Sequence, residues 1–440
     1  MTDSQRPYLA LRHRDFRLLS GATVVSVIGT QMQTVGIDWH IYVLTKSPLA
    51  LGVVGLVRVI PIIAFSLLGG VVADRHDRRL VMFLAQSVMA VAALALAALT
   101  FFGRETLWAI YALTAVTSAA TAFDNPARQA LIPRLVPPKD LQGALSLNLT
   151  FFHVAMIGGP AVSGLVIAAT GRSFGSATKG LSVIYLANAV SFVAVLAAIV
   201  VMKTSGKPVL VSPSRQRAIH DLRAGLHFVF RTPIMVSTMA LDFFATFFSG
   251  AMSLLPILAD QVLHVGPAGY GWLRAAPGIG ALAASVVASV RPLPKKQGPL
   301  LLWAVAAYAV ATIVYGLSRN AVLTFLALAA TGLADLVSTV IRQTLRQILT
   351  PDELRGRMTS VNMIFFMGGP QLGEMEAGFV ASLFRPTSVG AMISIAGGGV
   401  LTLLGVGIVA ALAPVVRNYR HDSELPGSGS PQARDPGSEA

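Results

Sequence analysis

The strongest constraint on this chain is a succession of long apolar runs, each bounded by charge or turn clusters. Twelve candidate spans can be read, at about 17–38, 48–73, 80–102, 106–126, 141–169, 181–202, 234–258, 267–290, 299–318, 321–345, 358–384 and 388–413. Several exceed the ~18 apolar residues that cross bilayer hydrocarbon as a helix. Spans 4, 10 and 11 are the weakest, because each holds ionisable residues. Of the 440 residues, 54% are hydrophobic and only 12% charged, whereas a soluble domain carries about a quarter charged residues. A chain this apolar would aggregate unless its surface faced lipid. The expected fold class is therefore an all-α membrane protein with 12 transmembrane helices. Cysteine is absent, which excludes a disulfide scaffold, thiol catalysis and Cys-ligated metals. The first apolar run follows Arg12, His13, Arg14 and Arg17, and the chain re-enters the membrane after Lys46-Ser47-Pro48. Span 1 is thus read as retained rather than as a cleaved secretory signal.

The net charge of +14 raises nucleic-acid binding as a possibility, and placement decides against it. With the N-terminus inside, and with Arg17 and Arg342 at the inner ends of spans 1 and 10 counted there, 26 of the 34 Lys and Arg fall on the inside and 6 in outside loops. Arg58 and Arg274 lie within spans. This asymmetry follows the positive-inside rule and predicts both termini in the cytoplasm. No basic face with base-contacting groups is assembled.

The two parts of the chain repeat each other. Gly55-Leu-Val-Arg58-Val-Ile-Pro61 recurs as Gly271-Trp-Leu-Arg274-Ala-Ala-Pro277, and Arg128-Gln129 recurs as Arg342-Gln343. Asn148 recurs as Asn362, and Gly158-Gly159-Pro160 as Gly368-Gly369-Pro370. The order is kept, as in parallel repeats of transporters. The expected organisation is a six-helix bundle over 1–202, a cytoplasmic linker over 203–233, a second six-helix bundle over 234–414 and a disordered cytoplasmic tail over 415–440. Within the linker, Ile219, Leu222, Leu226 and Val229 recur at helical spacing opposite Arg217, His220, Asp221 and Arg223. That pattern suits either a helix lying on the membrane face or a plain linker helix.

After span 2 stands Gly69-Gly70-Val-Val-Ala-Asp74-Arg75-His76-Asp77-Arg78-Arg79. A glycine here lets two helices approach closely, Asp74 can meet a helix N-terminus or a cation, and the arginines hold a tight turn against the anionic leaflet. The stretch resembles the signature loop of the major facilitator superfamily, Gly-x-x-x-Asp-Arg-x-Gly-Arg-Arg, formed here by Gly70, Asp74, Arg75, Asp77, Arg78 and Arg79. Asp77 stands where the family usually has glycine, so the turn must form without one. Val290 occupies the position of Asp74 in the second half, leaving only the first loop as a charged latch. Further stretches, Leu44 to Gly52, Asp124 to Pro133 and Asp221 to Arg231, are similar to the enterobactin exporter-like, drug-efflux branch. That resemblance implies the major facilitator fold. It also implies outward movement of siderophores, macrolides or other drugs, usually by proton exchange, across a bacterial inner membrane. It places spans 1, 4, 7 and 10 around a cavity, with 2, 5, 8 and 11 flanking it. Gly159, Pro160 and Gly164 partly match the exporter motif Gly-Pro-x-x-Gly-Gly of span 5. Proline removes a backbone donor and small residues permit close helix contact. Recurrence at Gly369 and Pro370 suggests a shared hinge.

Ionisable residues inside the membrane are costly and are functional candidates by default. Asp242, Asp335, Glu374 and Asp38 are candidates for proton coupling; neutralising an arginine is the alternative role for each, and Asp38 also reads as interfacial. Glu374 and Glu376 lie ~200° apart on a helix and cannot both face one cavity. Arg58, Arg274, Asn148, Phe243 and Phe247 are candidates for substrate contact, although lipid-facing phenylalanine is the commoner case. No phosphate-binding loop, His-Glu-x-x-His or Gly-x-Ser-x-Gly occurs. The expectation is a monomeric secondary transporter without cofactor or metal. Its partners are a small-molecule substrate, protons and membrane lipid, not nucleic acid. The substrate is a siderophore or drug-like solute. A macrolide or multidrug pump and a non-transporting membrane sensor are the alternatives.

Overall fold

The computed structural model describes residues 7–174, 177–207, 227, 229–290, 294–350 and 355–419. Most of the expected amphipathic linker helix, and all but the first residues of the expected tail, lie outside them. Twelve long helices run in order: α1 (Arg14–Thr45), α2 (Pro48–Arg75), α3 (Arg78–Phe101), α4 (Leu107–Leu131), α5 (Leu141–Ser173), α6 (Ala177–Val201), α7 (Pro233–Phe248), α8 (Gly266–Val290), α9 (Gln297–Leu317), α10 (Ala321–Leu349), α11 (Arg355–Ser382) and α12 (Thr387–Leu412). No strand occurs among the described residues. Several starts are written locally. Ser47 accepts from the Ala50 amide with Pro48 at the first helical position, and Thr106 and Asn320 cap α4 and α10 in the same way.

Nine helical segments among the described residues are long and apolar enough to cross a membrane. Of the three spans expected to be weak, span 10 meets that measure, whereas α4 and α11 fall outside it. So does α1, which carries Gln33, Asp38 and His40. Their partners explain the tolerance: Gln33 accepts from Asn188 at 2.8 Å, Asp38 meets Arg58 at 2.8 Å, and His40 Nδ1 lies 3.0 Å from the Tyr185 hydroxyl. A buried polar group is affordable when hydrogen-bonded.

Span 7 is shorter than the apolar run suggested. The α-helix stops at Phe248, and the chain continues through turns at Met252–Leu254 and Leu255–Ile257 and a π-turn at Leu258–Val262. Pro256 stands in the first turn of the segment that resumes, where its missing amide leaves no bond unmade, and composition alone does not register the break.

The helix pairs repeat. In the first half α1 packs on α5 and α6, α2 on α4, α3 on α4 and α6, and α5 on α6. Adding six to each number gives the pairs of the second half: α7 on α11 and α12, α8 on α10, α9 on α10 and α12, and α11 on α12. Between halves, α2 packs on α11 and α5 on α8. Glycine makes both crossings possible. A Cβ on Gly164 would lie 2.7 Å from the Gly271 Cα, and one on Gly378 would lie 2.6 Å from the Gly52 Cα. Both crossings are near the end of the bundle away from the chain termini, called the distal end below.

At the terminal end, the loop after α2 clasps the chain that leaves α6. The Arg78 amide donates to the Gly206 carbonyl at 3.0 Å, and Arg79 donates to the carbonyls of Ile199 and Thr204 at 2.7 and 3.2 Å. Asp15 accepts from the Lys203 amide and from the Thr204 amide and hydroxyl at 3.0, 2.7 and 2.6 Å. Burial pushes the Asp15 carboxyl up, but the Thr204 and Lys203 hydrogen bonds and the Arg14 charge together hold it below its ordinary value.

Asp77 solves the turn without glycine. Its φ is −60°, which any residue adopts, and its carboxylate caps α3 by accepting from the Arg79 amide at 2.9 Å. Asp77→Ala should therefore destabilise the protein by about 1 kcal/mol, while Asp77→Gly should cost only a few tenths. Denaturant unfolding in detergent measures the difference. Equal stability of the two variants would remove the capping role.

The motif leaves open which of the two glycines makes the close approach. Gly70 faces open space, and the close approach to α4 is made by Gly69, whose Cβ would overlap the Ala122 carbonyl oxygen. The two glycines differ by one residue and hence by ~100° of helix, which the motif alone does not resolve.

Candidate functional site

The spacing of Arg58 and Arg274 in the repeats places them at equivalent depths of α2 and α8, in the distal part of the bundle. The structure brings both to a single carboxylate. Asp38 of α1, 1% exposed, accepts from Arg58 Nη2 at 2.8 Å and lies 3.5 Å from Arg274 Nη2. Glu374 of α11, 5% exposed, lies 3.8 Å from Arg58 Nη1. Each arginine thus faces an acid from the other half: Arg58 faces Glu374, and Arg274 faces Asp38. Two acids and two arginines balance in formal charge, as burial requires. Glu374 Oε2 and the buried Tyr270 hydroxyl beside the cluster have no hydrogen-bond partner among the described residues.

Asp38 is therefore not at an interface with headgroups but enclosed. Glu376 is half-buried and apart from the cluster, in keeping with its helical phase. Because both arginines are engaged by carboxylates, neither is free for a substrate anion in this arrangement.

A second layer lies distal to the first. The Tyr42 hydroxyl donates to Asp260, and Gln261 donates to the Tyr42 hydroxyl at 3.3 Å. Lys46 Nζ lies 3.5 Å from Asp260 and 3.9 Å from the Tyr42 ring centroid. Trp39 stacks on Tyr270 at 5.3 Å. These contacts also join the halves. Sequence reasoning missed Tyr42, Asp260 and Gln261. The available signal was a loop between spans 7 and 8 that carries Asp260 and no Lys or Arg, opposite Lys46 in the loop between spans 1 and 2.

Nearer the terminal end, Asp242 of α7 forms an ion pair with Arg342 of α10, and Asp335 lies 3.8 Å from Arg342 Nη2 with its side chain 54% exposed. Arg342 occupies the repeat position of Arg128, which instead pairs with Asp124 in its own helix, while Gln86 donates to Asp124 at 2.9 Å. Asp74 is exposed and has no hydrogen bond or ion pair to a described residue, and Arg75 is exposed beside it.

The remaining candidates divide. Gly159 lies where α5 meets α1: a Cβ there would sit 2.5 Å from the Gln31 Cβ. Gly369 makes the equivalent contact of α11 with α7, 2.6 Å from Thr246 Oγ1. Pro160 and Pro370 lie inside continuous helices, and the Pro160 carbonyl faces Gly271 in the α5–α8 crossing. Phe243 and Phe247 are half-buried and stack on each other at 5.1 Å. Asn148 is half-buried on α5, seven residues from that helix's terminal end and so remote in depth from the distal Asp38–Arg58–Arg274–Glu374 cluster.

Comparison with known proteins agrees with this architecture. Residues 5–425 match the family described as transmembrane secretion effectors. The enterobactin exporter EntS of Escherichia coli O6:K15:H31 is 25% identical over 420 residues, covering 95% of this chain and 96% of that protein. EntS of Shigella dysenteriae serotype 1 is 24% identical over 410 residues, covering 93% and 94%. Among solved structures, a bacterial homologue of the human lysosomal transporter Spinster, inward-facing and unoccupied, superposes with a TM-score of 0.68 at 15% identity, over 92% of this chain and 96% of that one. A bacterial homologue of the iron transporter ferroportin, also inward-facing, gives 0.64 at 19% identity, over 89% and 98%.

Proposed function

Because the chain belongs to the transmembrane secretion effector family of the major facilitator superfamily, a family of transporters and not of enzymes, we propose that it is a proton-coupled exporter of a siderophore or drug-like small molecule. It works by alternating access across a bacterial inner membrane. The positive-inside asymmetry supports a cytoplasmic terminal end and an outward distal end. The reading is carried by one observation: a buried four-charge cluster, Asp38, Arg58, Arg274 and Glu374, whose bonds cross between the halves.

In the arrangement described, these bonds hold the distal end shut. Rocking the halves apart there separates Glu374 from Arg58 and Arg274 from Asp38. An acid without its arginine is free to take a proton from the outside, and an acid returned to its arginine must give the proton up. Proton movement is thus tied to opening and closing, which is what exchange against a solute needs. Asp242 and Asp335, with Arg342, form a second acid–arginine set nearer the cytoplasm, on the cavity-lining helices 7 and 10. The exposed Asp74 is a latch released in this state. The relationship to enterobactin exporters supports a siderophore as cargo.

The test is transport by purified protein in proteoliposomes, with enterobactin and ethidium as alternative cargoes. An imposed pH gradient should drive one of them. Glu374→Gln should slow gradient-driven movement at least tenfold while sparing gradient-free counterflow. If Glu374→Gln responded to the gradient as the wild type does, the coupling role would fail. If wild-type protein moved neither cargo, the cargo assignment would fail.

A further inference from the structure

Between α7 and α10, close to the terminal end, lies a cavity of about 190 Å3 lined chiefly by Thr238, Asp242, Thr339, Arg342, Gln343 and Arg346. Its chemistry is that of a receptor for an anion. Arg342 is 7% exposed, and its Nη2 donates to Thr339 Oγ1 at 2.9 Å. Its Nη1 is engaged by the Asp242 carboxylate as an ion pair, so an acid of the wall itself occupies the guanidinium. Arg346, four residues on and hence on the same face of the helix, makes no hydrogen bond or ion pair with any described residue. Gln343 and the two threonines add neutral polar groups to the wall. The acids beside Arg342 are Asp242 in the wall and Asp335 at 3.8 Å, and no acid among the described residues pairs with Arg346. Two guanidinium forks one turn apart offer the planar donor pairs that suit carboxylate, sulfonate and phosphate groups.

We propose that this cavity binds the anionic group of a ligand, and that Asp242 is the resident carboxylate the ligand displaces from Arg342. The volume admits an oxyanion head and not a whole siderophore, so the rest of the ligand would extend into the space between the halves. The site does not depend on proton coupling; only the identification of its ligand as cargo rests on the exporter reading. Asp242 then has a definite task. It satisfies Arg342 while the site is empty and leaves it when a better-placed anion arrives. Neutralising Asp242 should therefore strengthen anion binding, the opposite of what a cation site would show.

The test is equilibrium binding of radiolabelled sulfate to the purified full-length protein in delipidated detergent solution, with no gradient present. Wild type should bind sulfate saturably. Asp242→Asn should bind at least tenfold more tightly and Arg346→Gln at least tenfold more weakly, while Arg172→Gln at the distal end should bind as wild type does. Weaker binding in Asp242→Asn, or unchanged binding in Arg346→Gln, would overturn the proposal. A measurement on unaltered protein covers the case of a variant that does not fold: sulfate should protect Arg342 and Arg346, and not Arg172, from phenylglyoxal. Absence of that protection also overturns it. Competition identifies the source of the anion. Displacement of sulfate by benzoate and not by phosphatidylglycerol assigns the site to a soluble solute, and the reverse assigns it to a lipid phosphate. Because nothing is transported in these assays, their outcome is independent of whether the protein couples export to protons.

Discussion

Gly164→Leu is expected to abolish transport, by at least a hundredfold, while leaving both six-helix halves folded. The reason is the identity of the atoms that a side chain would meet. A Cβ at residue 164 would lie 2.6 Å from the Pro267 carbonyl oxygen and 2.7 Å from the Gly271 Cα. These are backbone atoms, which cannot rotate away. The clash lies between α5 and α8, so relief comes from separating the halves at the distal end and not from unpacking either one. Overpacking of this kind costs about 1–3 kcal/mol even in cores that can adjust. Here it falls on only one of the two states that a carrier must visit.

The lack of cysteine makes the state directly measurable. Ser253 is 0% exposed in the distal region where the turn at Met252–Leu254 meets α2. In a Ser253→Cys background, labelling by a membrane-impermeant maleimide from the distal side should rise at least tenfold when Gly164→Leu is added. Gly158 lies on the same helix with nothing within 4 Å of its would-be Cβ, so Gly158→Leu should leave labelling and transport near normal. Full transport by Gly164→Leu would show that the two backbones need not approach as they do here.

Neutralising Asp38 should have an effect of similar size through charge instead of shape. Asp38→Asn leaves Arg58 and Arg274 enclosed with Glu374 as the sole remaining acid. Removing one partner of a buried ion pair costs about 3–5 kcal/mol, which corresponds to about two to four powers of ten in an equilibrium. The cost applies to the closed distal end, because opening lets water reach both arginines. The variant should therefore populate the distally open state, show raised Ser253→Cys labelling, and lose gradient-driven transport. Adding Arg274→Gln removes the surplus cation and should restore much of the closure without restoring proton coupling. A single Asp38→Asn variant that closed and transported normally would show that the cluster does not hold the halves together.

Much of the fold was legible in the chain because lipid imposes its own requirements on composition. Apolar runs of the needed length, the inside excess of Lys and Arg, and the paired Arg58 and Arg274 motifs together define twelve helices in two repeats. They also set the depth of each charge along its helix. What they leave open is which way each residue faces. A helix that packs on protein with one side and on lipid with the other is apolar all round, so the phase that orients a helix in a soluble core is missing. Hence Gly69, and not Gly70, is the close-contact residue of the signature loop. Hence also Asp38 could be read as interfacial although it binds arginines from both halves, one of them 236 residues away. The sequence by itself determined the number, order and depth of the helices. Only the tertiary structure decided which acid meets which arginine, because that choice depends on helix rotation and on backbone approach at Gly164 and Gly378, to which the energetics of lipid burial are indifferent.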